Sequence, residues 1–273
     1  MDSVATDGLG DSAAPVALSI SDHHLIRRIG RGSYGEVWLA RNLMGLYRAV
    51  KVVYRQRFAE ARPYERELAG IERFEPVSRS HEGFVDVLHI GRNEAGGYFY
   101  YIMELADDVE TGPLINTETY QPRTLSRELK RRQRLSFQEC AELGLLLSRA
   151  LSQLHRQGLV HRDIKPANVI FVNGTPKLAD IGLVAGIEDA CSFVGTEGYV
   201  PREGTGKPPA DIYALGKVLY ECCTGLDRLA FPRLPAGLAH NGQHDQLLEF
   251  NEVLLRACHH DLSKRYEIGR AHV

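Results

Sequence analysis

At Glu104 the chain changes its period, and that change does most to limit what it can fold into. Upstream, from His24 to Tyr54 and again in FVDVLHIG (84–91) and GYFYYIMEL (97–105), β-branched and aromatic residues sit between glycine clusters, the texture of short strands and turns. RPYERELAGIERF (62–74) interrupts with helical spacing, and its Pro63 suits a first helical turn. Downstream, Ser136 and Glu139 form a capping-box pattern and Gly158 supplies a stop. Between them Cys140, Leu143, Leu147, Ala150, Leu151 and Leu154 recur at steps of three and four. Two further helices are expected over 211–224 and 243–258. The pattern predicts an α+β protein of two lobes joined near Glu104: a small antiparallel sheet with one helix, then a larger, mainly helical part.

The lobe boundaries follow. Residues 1–22 are small, polar and acidic and are expected to be disordered. Residues 23–104 form the sheet lobe and 105–273 the helical lobe. The stretch 106–125, punctuated by Pro113 and Pro122, reads as loop. No internal repeat is visible.

Composition removes several function classes. The 33 Lys and Arg balance 35 Asp and Glu, so bulk charge gives no argument for a nucleic-acid partner. No uncharged apolar run approaches a membrane span; LGLLLSRALSQL is broken by Arg149. Five cysteines without CxxC spacing fit reduced thiols, and the acidic N-terminus lacks a secretory signal, so a cytoplasmic location is expected.

Four features carry chemistry. IGRGSYGEV (29–37) sets Gly30, Gly32 and Gly35 between two strands, where missing Cβ atoms let backbone N–H groups approach phosphate oxygens. A plain glycine-rich hairpin explains it equally well; a dinucleotide turn does not, because the strand-like VWLAR follows. AVKVV puts Lys51 among apolar neighbours, where an ammonium needs a partner. Glu67 is favoured over Glu65, because Leu68, Ile71 and Phe74 then pack inward beside it. HRDIKPAN (161–168) offers Asp163 to orient a hydroxyl and take its proton, Lys165 to neutralise a moving phosphoryl group, and Asn168 as a neutral oxygen donor. Twelve residues later, KLADIGLV supplies Asp180 at a strand end, followed by Gly182, suited to a divalent cation. A solvated loop or a simple turn accounts for either of the last two alone, but not for all four features in this order.

With these residues in place, the chain resembles the eukaryotic-type (Hanks-type) Ser/Thr protein kinases, in the style of their bacterial members, from about His24 to Arg265. The resemblance implies the bilobal kinase fold, with ATP bound beneath Ile29, Gly30, Arg31, Gly32, Ser33 and Gly35. It implies Lys51 on the phosphates braced by Glu67, and Asp163 as catalytic base. It further implies Asn168 and Asp180 as ligands of Mg2+, for which Mn2+ could substitute. Met103 corresponds to the gatekeeper and 104–106, including Glu104 and Ala106, to the adenine-binding hinge. Val37, Ala49 and Ile170 would enclose the purine. Thr196 and Lys165 match the Ser/Thr-specific pattern, Glu203 and Arg265 an anchoring ion pair, and Asp211 the residue that steadies the catalytic loop. Ser192 falls where an activating phosphate would pair with Arg162, although Glu188 and Asp189 could serve that arginine instead.

Two motifs depart from the family's pattern. The metal-binding triplet reads Asp180-Ile181-Gly182, and the anchoring triplet Pro201-Arg202-Glu203. The family's last helix should still be under way at Val273, so a longer natural chain is expected. Protein substrates and self-association for autophosphorylation are the implied partners. A scaffold that binds nucleotide without turnover is a rival, but it would have lost one of Lys51, Asp163 or Asp180. A small-molecule phosphotransferase is another, but it would not need the peptide-seating segment 192–203.

Overall fold

The computed structural model describes residues 18–32, 35–180, 185–186, 195–235 and 244–266. Strands β1 (His23–Arg31), β2 (Gly35–Asn42), β3 (Tyr47–Tyr54), β4 (Val87–Asn93) and β5 (Tyr98–Met103) form one antiparallel sheet in the order β1-β2-β3-β5-β4. β5 is buried at every position. Alternate side chains point to opposite faces, and here both faces are covered. Phe99, Tyr101 and Met103 join the large core shared with the helices. Tyr98, Tyr100 and Ile102 join a second cluster with Ile20, Ala40, Val50 and Val52.

That second cluster corrects one expectation. Residues 18–22 are held against the sheet: Ile20 is 7% exposed, and Leu18 packs beside it on the outer face. The Tyr98 hydroxyl donates to Ser19 O at 3.1 Å and accepts from Ser19 N at 3.0 Å. Composition made 18–22 look like a tail because it cannot show that the sheet has an uncovered apolar face.

Helix α1 (Ala61–Ser78) lies on the inner face through Tyr64, Leu68, Ile71 and Phe74, and runs past Phe74 with Pro76 in its last turn. The segment after the lobe junction is folded rather than loose. Asp108 accepts from Glu110 N, Thr111 N and Gln121 N, while Asp107 accepts from Asn173 N and Gly174 N. Arg27 of β1 reaches across to donate to Thr117 O at 2.7 Å and to Tyr120 O. This strap therefore bonds to both lobes. It leads into α2 (Leu125–Arg132), absent from the sequence reading, whose N-cap Thr124 accepts from Arg127 N. Only Leu125 and Leu129 mark an apolar face in that basic stretch, too little periodicity to declare a helix.

In the helical lobe α3 (Phe137–Arg156) forms the expected capping box between Ser136 and Glu139. β6 (Leu159–Val160) follows, then the hairpin β7 (Val169–Val172) and β8 (Thr175–Leu178), and β9 (Ala185–Gly186) pairs with β6. Helix α4 (Pro208–Thr224) is buried nearly all round, as expected of a helix at the centre of a lobe. It ends at Gly225 in the left-handed conformation (φ 70°), where a Cβ would meet Gln133 O at 2.9 Å. α5 (His244–Ala257) completes the described part. No helix among the described residues is long and apolar enough to cross a membrane.

Tyr98→Phe removes the hydroxyl that ties residues 18–22 to the sheet. It should lower stability by about 1–2 kcal/mol and raise amide hydrogen exchange at Ser19, both measurable by urea unfolding and mass spectrometry. Unchanged exchange would show that apolar packing alone holds the segment.

Candidate active site

The two lobes meet around a cleft of about 530 Å³. Its roof is formed by the facing ends of β1 and β2 and by β3, with Ile29, Gly30, Arg31, Gly32 and Gly35 along one edge and Val37, Ala49 and Lys51 further in. A Cβ on Gly32 would meet nothing within 4 Å, whereas one on Gly35 would strike Val52 O at 2.3 Å. Gly35 is thus required by strand packing, and Gly32 leaves open space beside the turn. Met103, Glu104 and Ala106 form the back edge, and Ile170 on β7 lies on the floor. Glu104 is fixed by its own contacts: its carboxylate accepts from Lys177 Nζ at 2.6 Å and from Asp86 N at 2.9 Å. The strap contributes Tyr120, Pro122 and Thr124 to the lining. The sequence reading missed these three, because nothing local in a Pro-punctuated loop shows that it folds back onto a cleft. Tyr120 also donates its hydroxyl to Ala106 O at 3.0 Å.

Lys51 sits opposite Tyr101 in the β3–β5 ladder and points inward. Its ammonium lies 2.5 Å from Asp180 Oδ1 and 3.9 Å from Glu67 Oε1. Glu65 faces away and pairs with Arg92 at 3.2 Å. Of the two carboxylates on α1, Glu67 is therefore the one at the lysine, although Asp180 is nearer still. Burial works against the Lys51 charge, yet Asp180 and Glu67 hold its pKa well above the usual lysine range. The Lys51 ammonium holds the Asp180 carboxyl below its usual range. Burial pushes Glu67 up to about 7, only partly offset by Lys51.

The loop His161–Asn168 is positioned from beneath by Asp211 in the first turn of α4. Its Oδ2 accepts from His161 N and its Oδ1 from Arg162 N, both at 2.9 Å, and His155 Nε2 lies 2.8 Å from Oδ2. Arg162 takes φ 71°, and the chain turns so that Asp163 faces the cleft. Lys165 Nζ donates to Asp163 Oδ2 at 2.7 Å and to Thr196 Oγ1 at 2.9 Å, and Thr196 donates to Asp163 Oδ1 at 3.0 Å. Asn168 Nδ2 donates to Asp163 O and Oδ2, which turns its amide oxygen the other way. Further out, Arg265 pairs with Glu203, the arginine side chain 1% exposed. Ser33, Ile181, Gly182 and Ser192 lie outside the described residues.

The donor set fits a hard divalent cation. Asn168 offers a neutral amide oxygen and Asp180 a carboxylate whose side chain is 45% exposed toward the cleft. Two oxygen donors leave most of a coordination sphere to other oxygens, as Mg2+ prefers when it shares phosphates. No cluster of three or more His, Cys, Asp or Glu ligands exists among the described residues, so a self-sufficient protein metal cage is not present there.

Comparison with known proteins agrees with this geometry. A family model described as protein kinase domain matches residues 23–260. Serine/threonine-protein kinase PknA of Mycobacterium tuberculosis is 31% identical over 230 residues, covering 77% of this chain and 48% of PknA. A probable serine/threonine-protein kinase PknB of Bifidobacterium longum is 29% identical over 231 residues, 78% of this chain and 32% of that protein. Mitogen-activated protein kinase kinase 3 of Arabidopsis thaliana matches a shorter stretch, 45% identical over 89 residues, 29% of this chain and 17% of its own length. The chain spans about half the length of PknA and about a third of PknB.

The raised Glu67 pKa makes stability depend on pH. The folded protein holds this proton more tightly than the unfolded chain, whose value is near 4.5. Its contribution is complete below pH 4.5 and is lost as pH rises through about 7. Glu67→Gln should flatten this part of the profile, so that the variant gains on wild type by about 3 kcal/mol between pH 4.5 and 8. Urea denaturation at several pH values measures it. Parallel profiles would place the titration elsewhere.

Proposed function

The chain belongs to the protein kinase family, and we propose on that footing that it transfers the γ-phosphoryl group of ATP to Ser and Thr hydroxyls of proteins, with Mg2+ as the cation and Mn2+ able to replace it. One observation carries the reading. The Asp163 carboxylate is held by Lys165, Thr196 and Asn168 in the same cleft that contains the glycine turn and the Lys51–Asp180 pair.

Phosphoryl transfer asks the protein for positioning and charge more than for covalent chemistry. Asp163 orients the acceptor hydroxyl and takes its proton as transfer completes. Lys165, already bridging Asp163 and Thr196, presents positive charge beside the acceptor. Lys51 holds phosphate oxygens, and Glu67 keeps that ammonium in place. Asn168 and Asp180 hold the cation, which supplies charge neutralisation across the phosphates when bound. Val37, Ala49, Met103 and Ile170 exclude water from the base, and the backbone at 104–106 provides its polar edge. Glu203 and Arg265 secure the segment that seats the substrate peptide. Ser192 is the proposed activating site, modified by a second copy of the chain and read by Arg162.

The proposal is tested by incubating the purified protein with Mg-ATP and protein substrates, mapping the sites, and repeating with Asp163→Ala. Turnover should fall about 10²–10⁴-fold, as when a general base is lost. ATP affinity should hardly move, because Asp163 touches the acceptor. Labelled Ser and Thr, with Ser192 among them and Tyr unlabelled, is the expected map. Undiminished transfer by Asp163→Ala would refute the assignment.

A further inference from the structure

Behind the glycine turn, on the side away from the cleft, six contacts converge on one arginine and one carboxylate. Arg57, in the short turn after β3, donates from Nη1 to Gly32 O and to Gly35 O, each at 3.4 Å. Its Nη2 donates to Glu36 Oε1 at 3.0 Å, and its guanidinium lies 4.9 Å from the centre of the Tyr54 ring. Glu36 is only 8% exposed and is held from two more directions: Arg28 Nη1 donates to Oε1 at 3.0 Å and Tyr54 OH to Oε2 at 3.2 Å. Burial alone would raise the Glu36 carboxyl; the bonds from Arg57 and Arg28 instead hold it below the usual range, so it stays charged.

We propose that Arg57, fixed by Glu36 and Tyr54, is a positioning residue that sets the glycine turn for the phosphates of the nucleotide. The inference rests on the nucleotide lying under that turn, as in the proposed function. Glycines make the turn accessible to phosphate, but a glycine restricts its own backbone less than a residue with a Cβ. Any order it lacks beforehand must be supplied on binding. Arg57 engages a carbonyl at each end of the turn, and Gly32 N donates to Gly35 O at 2.9 Å between them. Carbonyl oxygens committed to a cation outside the cleft are not free to face phosphate oxygens inside it, where like partial charges would repel. Arg57 also adds a full positive charge directly behind the turn. It lies outside the cleft lining, so it acts through the glycines rather than on the ligand.

Because the device concerns phosphates, its loss should separate ATP from adenosine. The whole chain and its Arg57→Ala, Glu36→Gln and double variants would be titrated with Mg-ATP and with adenosine by calorimetry, and assayed for KM and kcat. Arg57→Ala should weaken ATP binding and raise the ATP KM about tenfold, the scale of lost charge-assisted hydrogen bonds. Adenosine affinity and kcat should stay within about twofold, since neither draws on the turn's carbonyls. Glu36→Gln should reproduce part of the loss without touching the turn itself. The double variant should be no worse than Arg57→Ala, because both act through one contact. Equal weakening of ATP and adenosine would mean general loosening of the roof and would overturn the proposal, as would ATP binding unchanged in Arg57→Ala and Glu36→Gln alike. If the wild-type chain itself bound no ATP, the functional reading would fail along with this one, and the two failures are thereby told apart.

Discussion

A carboxylate buried among helices needs hydrogen-bond donors, and Asp211 finds them in the loop His161–Asn168. It is 1% exposed and takes the backbone N–H groups of His161 and Arg162, with His155 against its other side. Charge-assisted bonds of this kind are stronger than neutral ones and are costly to leave half made. The loop therefore cannot shift without stranding the carboxylate, and α4, packed on nearly every face, cannot shift to follow it. Each position above inherits this rigidity. Asp163 is two residues along, and Lys165 and Asn168 are set relative to Asp163 by bonds of their own.

The electrostatics of the cleft divide along the same line. Below, Asp163 is surrounded by the donors Lys165, Thr196 and Asn168. Above, Lys51 stands between two carboxylates of different character. Asp180 is partly open to the cleft and drawn down by the ammonium. Glu67 is enclosed and pushed up toward neutrality. The more exposed carboxylate is thus held low by the ammonium, and the enclosed one is held high by burial.

Much of this was legible in the sequence because the residues are of types that have few other uses at such spacing. An inward lysine on a strand, an acidic residue between arginine and an apolar residue, and a second acidic residue twelve positions after Asn168 leave few chemistries open. The choice of Glu67 over Glu65 followed from helical geometry alone. What was not legible depends on contacts between distant segments. Ile20 is apolar in a polar tail, and only the outer face of the sheet gives it a purpose. Tyr120 reads as one residue of a loop until Arg27 and Ala106 fix it from two lobes. The Lys51–Asp180 contact joins residues 129 positions apart, and no local pattern encodes it.

The two faces of the sheet also differ in when they can be completed. The outer cluster draws only on residues between Leu18 and Ile102, so every partner it needs is present once the first hundred or so residues have been synthesised. The inner cluster continues through α3 and α4 to Leu254 and cannot close until that residue has been made. During synthesis, a young sheet would be dry on its outer side while its inner side carried α1 alone. Apolar surface left open in this way is where partly made chains associate wrongly. For a ribosome-bound chain of this sequence, the dangerous interval lies between the emergence of β5 and the arrival of the helices that cover it.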